Sequence, residues 1–140
     1  GSNFTYFYNI LRSFLFFKRI PVSLSSPQLN FEGRVLLIAI NNGKYFGSGL
    51  GIAPNALLND GKANVVIARK VNILQFLLYM PRLKRSQKII ISELFYHEIS
   101  ACTIKSTQHN CPIEMDGEVI GNTPLTIEVQ KHAARLLKVI

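Results

Sequence analysis

The chain is short of acid. Of its 140 residues only eight are Asp or Glu, against sixteen Lys and Arg, which leaves a formal charge of +8. Such an excess excludes an acidic, self-solvating chain and suits an anionic partner: nucleic acid, a phosphorylated ligand or an acidic membrane surface. Cysteine is nearly absent too. Cys102 and Cys111 are too few for a disulfide framework, and no Cys/His spacing matches a zinc site, so a reducing cytoplasm is the expected compartment. Neither the dinucleotide fingerprint nor the P-loop spacing occurs. The chain has no fixed-period repeat, no low-complexity tract and no interleaved basic and aromatic pattern of the kind that reads nucleic acid. With 48% hydrophobic and 17% charged residues, it fits a single domain burying roughly two-thirds of its unfolded surface. Gly1 and Ser2 read as a tag scar, which leaves 3–140 as the domain.

The first segment, "NFTYFYNILRSFLFFKRIPV", places Phe4, Phe7, Tyr8, Leu11, Phe14 and Leu15 at helical spacing, interrupted by Arg12, Lys18 and Arg19. This predicts an amphipathic helix at about 4–19, stopped before Pro21. It is too short and too charged to span a bilayer, which needs about 20 mostly apolar residues. It either packs on the domain or lies in a membrane interface.

Beyond it the texture becomes that of strands and turns. "VLLIAI" (Val35 to Ile40) predicts a buried strand, and "NVVIAR" after the Asp60-Gly61 turn reads as a further strand. The glycine run "NNGKYFGSGLG" between them reads as bulges or close backbone approach in preference to a phosphate cradle. "NILQFLLYM" predicts a short helix from about Asn72, ending before Pro81. Its tail carries the densest positive cluster, Arg82, Lys84, Arg85 and Lys88, which reads as a solvated helix end or a contact with an anionic surface. Further strands are expected at "KIIIS", "LFYHEISACTI", "CPIEM", "LTIEV" and "RLLKVI". The sum is a mainly β fold, a two-layer antiparallel β-sandwich with two short helices.

The scarce acids are not spread evenly, for Glu114, Asp116 and Glu118 crowd around Gly117 in "CPIEMDGEVIGNTPLTIEV". If Asp116-Gly117 is a two-residue hairpin turn, Met115 faces Glu118 and Glu114 faces Val119 on the opposite side. Asp116 and Glu118 then share one rim, where one carboxylate accepts a hydroxyl proton and the other orients it. An exposed turn with no chemistry fits the same residues.

The order of motifs is more specific than any of them alone. "EGRVLLIAINNGKYFGSGLGIAPNALLNDGKANVVIA", followed at a distance by the Met-Asp-Gly-Glu stretch, resembles the C-terminal domain of the diacylglycerol kinase and sphingosine kinase superfamily of lipid kinases, near its bacterial members. The likeness covers most of 32 to 130. It implies a β-sandwich supplying the lipid side of a kinase cleft, with ATP held by a preceding nucleotide-binding domain that carries a Gly-Gly-Asp-Gly-Thr loop. That loop is absent from this sequence, which looks like half an enzyme and is expected to be inactive alone. The resemblance implies Glu118 as proton acceptor with Asp116 as its partner. It also implies a structural magnesium ion at Asp60 and the backbone carbonyls of Leu57 and Lys62, besides the magnesium that accompanies ATP. Asn64 stands where relatives often carry aspartate. The expected partners are the lipid, the N-terminal domain and the anionic inner face of the membrane, peripheral to the cytoplasm, with homodimer formation left open. The alternative is a non-catalytic lipid-binding or membrane-docking sandwich. Which lipid hydroxyl is phosphorylated is not written in these residues.

Overall fold

Val22 and Leu24 alternate with Ser23 and Ser25, so an extended chain here has one apolar and one polar face. In the computed structural model, which describes residues 18–47, 49–108 and 111–133, this segment is β1 (Ile20–Ser25), with Val22 and Leu24 buried and both serines exposed. The sequence reading had placed no strand there, although the alternation was the signal for one. Pro21 is tolerated because pairing with β6 begins only at Val22, so at Pro21 only β2 runs alongside. β2 (Asn30–Val35) returns antiparallel after a turn closed by Ser26 N–H to Leu29 O at 2.9 Å.

The apolar run expected as one strand divides at Leu36. Val35 ends β2 with its side chain buried in the core. The next residue's N–H already bonds Ala68 O at 2.7 Å, and β3 (Leu37–Asn41) pairs with β4 (Ala63–Ala68) in the other sheet. "LFYHEISACTI" divides in the same way at Ser100, into β5 (Leu94–Ile99) and β6 (Ala101–Ser106). The chain thus changes layer at two sandwich corners. Gln28 ties the β1–β2 turn to the second corner. Its Nε2 donates to Ser100 Oγ at 3.0 Å, and its Oε1 accepts from Ser100 N at 3.4 Å.

The outcome is the expected two-layer antiparallel sandwich. One sheet has the order β2-β1-β6-β9, with β9 at Leu125–Glu128, and the other has the order β3-β4-β5. β7 (Pro112–Met115) and β8 (Glu118–Asn122) form a separate hairpin. Between the layers lie Val22, Leu24, Val35, Cys102 and Ile104 from one side and Ala63, Val65, Ile67 and Ile99 from the other. Each large aliphatic side chain fully buried there contributes about 1.5–3 kcal/mol. All six residues of β4 are buried. Its odd-numbered side chains face the other sheet, while Val66 on the opposite face is covered by Ala53 and Ala56 of the long β3–β4 connection. A strand covered on both faces reads as a nearly continuous apolar run, and this one is interrupted only by the buried Asn64.

The expected second helix is α1 (Ile73–Lys84), begun by a capping box. Asn72 Oδ1 accepts from Gln75 N at 2.8 Å, and Gln75 Oε1 accepts from Asn72 N at 3.0 Å. It does not end before Pro81 as expected but runs through it to Lys84. Proline in the final turn removes one N–H without preventing closure, and Arg85 N–H caps the end on Pro81 O and Arg82 O. "KIIIS" is not a strand. Ile89 is buried and Ile90 is 84% exposed, and no strand among the described residues lies alongside to pair with the segment. The expected helix at 4–19 and the strand "RLLKVI" fall on or largely on residues outside the described ones.

Candidate functional site

Asp-Gly is favoured in a two-residue hairpin turn because both central residues need positive φ. Asp116 has φ 51° and Gly117 φ 91°. The pairs that follow are Met115 with Glu118 and Glu114 with Val119, the register expected from the sequence. Glu118 therefore shares a face with Met115, and Glu114 points to the other side. One step further Ile113 pairs with Gly121, so Ile120 is an extra residue that bulges and twists β8. The hairpin stands clear of the sandwich: Met115 is 57%, Val119 72% and Ile120 51% exposed. Thr123 N–H to Cys111 O at 3.0 Å closes its base. Among the described residues nothing forms an ion pair or a hydrogen bond with the side chains of Asp116 or Glu118. The carboxyl groups of Asp116, in the turn, and Glu118, at the start of β8, are thus free to accept from a molecule laid against the hairpin.

The loop at 57–62 is a compact turn. Asp60 Oδ1 accepts from Lys62 N at 2.9 Å, and Gly61 takes φ +76°. Lys62 Nζ reaches Glu98 Oε2 at 2.8 Å. The hydrogen bond to Glu98 and that residue's charge, with a smaller push from Asp60, hold the Lys62 ammonium above the usual lysine range against a slight opposing desolvation. No cluster of three or more His, Cys, Asp or Glu occurs among the described residues. What the turn offers is the second oxygen of Asp60 and the carbonyls of Leu57 and Lys62, which accept no hydrogen bond from the described residues. This all-oxygen set, completed by water, fits a magnesium-like ion and not a soft metal.

The glycine run works structurally. Phe46 and Leu50 exchange backbone bonds at 3.0 and 3.1 Å, Gly51 N–H bonds Leu83 O at 2.8 Å, and Ala53 N–H bonds Lys44 O at 3.2 Å. These four amides, spent on protein carbonyls, are not available to a phosphate. A Cβ on Gly51 would lie 2.5 Å from Ser86 Cα, so this position needs glycine for close approach to the end of α1.

On α1, Leu74, Leu77 and Leu78 lie on one face and are 73%, 40% and 71% exposed. Arg82, Lys84 and Arg85 gather at its C-terminal end. Lys88 is drawn elsewhere, its Nζ 5.2 Å from the Tyr96 ring centroid. Burial pushes the Tyr96 hydroxyl above its usual range. The leucine face escaped the sequence reading, although its i, i+3, i+4 spacing was there to be read.

A two-layer antiparallel sandwich with a projecting acidic hairpin and, among the described residues, one capped helix defines the class. The chain belongs to the family described as the YegS C-terminal NAD kinase beta sandwich-like domain, which matches residues 1–138. It is 28% identical over 111 residues to a protein of Serratia proteamaculans named "Probable lipid kinase YegS-like", covering 79% of this chain and 34% of that protein. A protein of the same name in Yersinia enterocolitica is also 28% identical, over 79% of this chain and 36% of its own length. The chain thus spans about a third of the curated relatives it matches. The crystal structure of a diacylglycerol kinase from Bacillus anthracis str. Sterne superposes with a TM-score of 0.71 at 20% identity, covering 93% of this chain and 44% of that one.

Proposed function

We propose that this chain is the lipid-binding half of an ATP-dependent lipid kinase acting on the hydroxyl of diacylglycerol or a related lipid. The observation that carries it is the pair of unengaged carboxyls, Asp116 and Glu118, on either side of Gly117 in a tight hairpin turn of a chain whose relatives bear lipid-kinase names. The hydroxyl oxygen of the lipid attacks the γ-phosphorus of ATP. As that O–P bond forms, the bond from the γ-phosphorus to the bridging oxygen of ADP breaks, and the hydroxyl proton passes to the Glu118 carboxylate. Asp116, one turn residue away, orients Glu118 or the hydroxyl. Positioning supplies most of such catalysis, and a turn pinned by two positive φ values suits that task.

ATP and its magnesium belong to an N-terminal nucleotide-binding domain, and without that partner this chain turns over no lipid. The exposed Met115, Val119 and Ile120 give that domain or the acyl chains an apolar surface on the hairpin. A magnesium ion at Asp60, Leu57 and Lys62 would cross-link the β3–β4 connection to the start of β4 and take no part in proton transfer. The protein works at the inner face of the membrane from the cytoplasm. Among the described residues no helix is long and apolar enough to cross a bilayer. The exposed leucines of α1 beside Arg82, Lys84, Arg85 and, further along, Lys88 suit an anionic surface. Those same residues favour a second reading, a docking module without catalysis.

The deciding experiment uses the two-domain protein. Glu118→Gln keeps size and removes the proton acceptor, so turnover should fall on the order of a hundredfold or more with the fold intact. Asp116→Asn should also slow it, and Glu114→Gln, on the opposite face, should matter least. Near-normal rates for both Glu118→Gln and Asp116→Asn would reduce the hairpin to a turn and leave the docking module standing.

A further inference from the structure

Antiparallel register places Asn41, Asn64 and Glu98 in one cross-strand row of the three-stranded sheet, with Ala39, Val66 and Tyr96 in the next row on the same face. That face looks away from the main core. Where the β3–β4 connection leaves it open, a cavity of about 320 Å³ remains, lined by Asn55, Asn64, Lys88, Tyr96, His97 and Glu98 among others. Such a volume holds a compact ligand. None of these residues belongs to the acidic hairpin or to the 57–62 turn.

The chemistry of the lining selects the ligand. Asn64 is only 7% exposed, and among the described residues neither its Nδ2 nor that of Asn41, its cross-strand neighbour, has a hydrogen-bond partner. A buried amide donor without an acceptor bears its full desolvation penalty, and an acceptor group seated in the cavity would relieve it. Lys88 Nζ is poised over the Tyr96 ring at 5.2 Å from the centroid, an arrangement that steadies the ammonium while leaving its donors free. The one acid of the lining is already answered, for Glu98 Oε2 lies 2.8 Å from Lys62 Nζ. The uncompensated charge is therefore that of Lys88, and the unspent buried capacity is a donor. An occupant must be anionic and rich in acceptors. A lysine and a separate amide do not form the planar fork that selects a carboxylate, whereas a tetrahedral oxyanion can present one oxygen to each.

We propose that this cavity is a phosphate site, in which Lys88 Nζ and Asn64 Nδ2 hold the phosphate group of a phosphomonoester or free inorganic phosphate. The site stands apart from the lipid-kinase reading, since Asp116 and Glu118 take no part in it.

The test is a titration of the ¹⁵N-labelled chain with inorganic phosphate and, separately, with glycerol 3-phosphate, at ionic strength held constant with chloride. The Asn64 side-chain amide signals should shift saturably with a Kd on the order of millimolar. Lys88→Gln, at an exposed position that leaves folding alone, should weaken binding about tenfold. Asn64→Asp, which turns the buried donor into an acceptor, should abolish it, while Lys105→Gln, an exposed lysine of β6 outside the cavity, should leave it unchanged. Tighter binding of glycerol 3-phosphate supports a phosphorylated headgroup, and equal or tighter binding of inorganic phosphate supports the free ion. No saturation by either up to about 50 mM, or binding indifferent to Lys88→Gln, would overturn the site.

Discussion

Gly51→Ala tests what the glycine run is for. The added Cβ would lie 2.5 Å from Ser86 Cα and Cβ and 2.6 Å from Ser86 Oγ, against an ordinary contact of 3.4 Å or more. Two of those atoms are anchored by the backbone, so a rotamer change cannot clear the overlap and the loop must retreat by about 1 Å. It is held there by Gly51 N–H to Leu83 O at 2.8 Å, and that same carbonyl accepts from Ser86 N at 3.1 Å. Overpacking of this kind costs about 1–3 kcal/mol, and losing the loop-to-helix bond costs about 0.5–1.5 kcal/mol more. The expected loss is about 2–4 kcal/mol, a fall in Tm of roughly 10 °C for a domain of this size. Gly43→Ala is the control. Its Cβ would meet only Leu58 Cδ2 at 3.8 Å with no positive φ, so its stability should stay within about 1 kcal/mol of the parent. Thermal melts of the two variants decide the matter. A Gly51→Ala melt matching the parent would refute the packing argument, and an unchanged melt with lost nucleotide binding in the two-domain protein would restore the phosphate cradle.

Magnesium should raise Tm by several degrees, since a hundredfold excess over Kd stabilises by about 3 kcal/mol, and Asp60→Ala should remove that rise; an unmoved melt would leave the turn a plain one. Sedimentation with anionic vesicles should weaken as salt rises, because each cation near the surface contributes about 1 kcal/mol, and should fall when Arg82, Lys84, Arg85 and Lys88 become serine or when Leu74 and Leu78 do. Indifference to salt and to both sets would remove the docking surface. Cys102 is buried and its thiol is pushed above the usual range by desolvation. Thiol reagents at mildly alkaline pH should therefore label Cys111 in the native protein and Cys102 only on unfolding; comparable rates would show that the interlayer core opens. Ile99→Ala, at a side chain with no exposure, should cost about 2–5 kcal/mol in denaturant melts, and a smaller loss would mean that the layers close over the gap.

The features legible in the sequence were those whose physics is local. Asp116-Gly117 determines its own turn, because two adjacent residues with positive φ are cheapest as Asp-Gly, and alternation then assigns Glu118 and Glu114 to opposite faces without reference to the rest of the chain. Asn72 and Gln75 determine the start of α1 through two bonds that span three residues. The β-branched run Val65, Val66 and Ile67 announced the strand β4, though not its cover on both faces. Only the tertiary structure could divide "VLLIAI" at Leu36 and "LFYHEISACTI" at Ser100, since a change of sheet depends on which strand supplies the next hydrogen bond, and the apolar run around Leu36 offers no break in pattern to mark it. Only it could leave "KIIIS" unpaired, because β-branched residues make a strand when a neighbour lies beside them and not otherwise. The cavity was beyond sequence reading for the same reason. Asn64, Lys88 and Tyr96 come from a strand, a connection and a neighbouring strand. What makes them a site is a desolvated amide and an ammonium poised over a ring, and both are properties of packing, which brings together residues that the chain keeps apart.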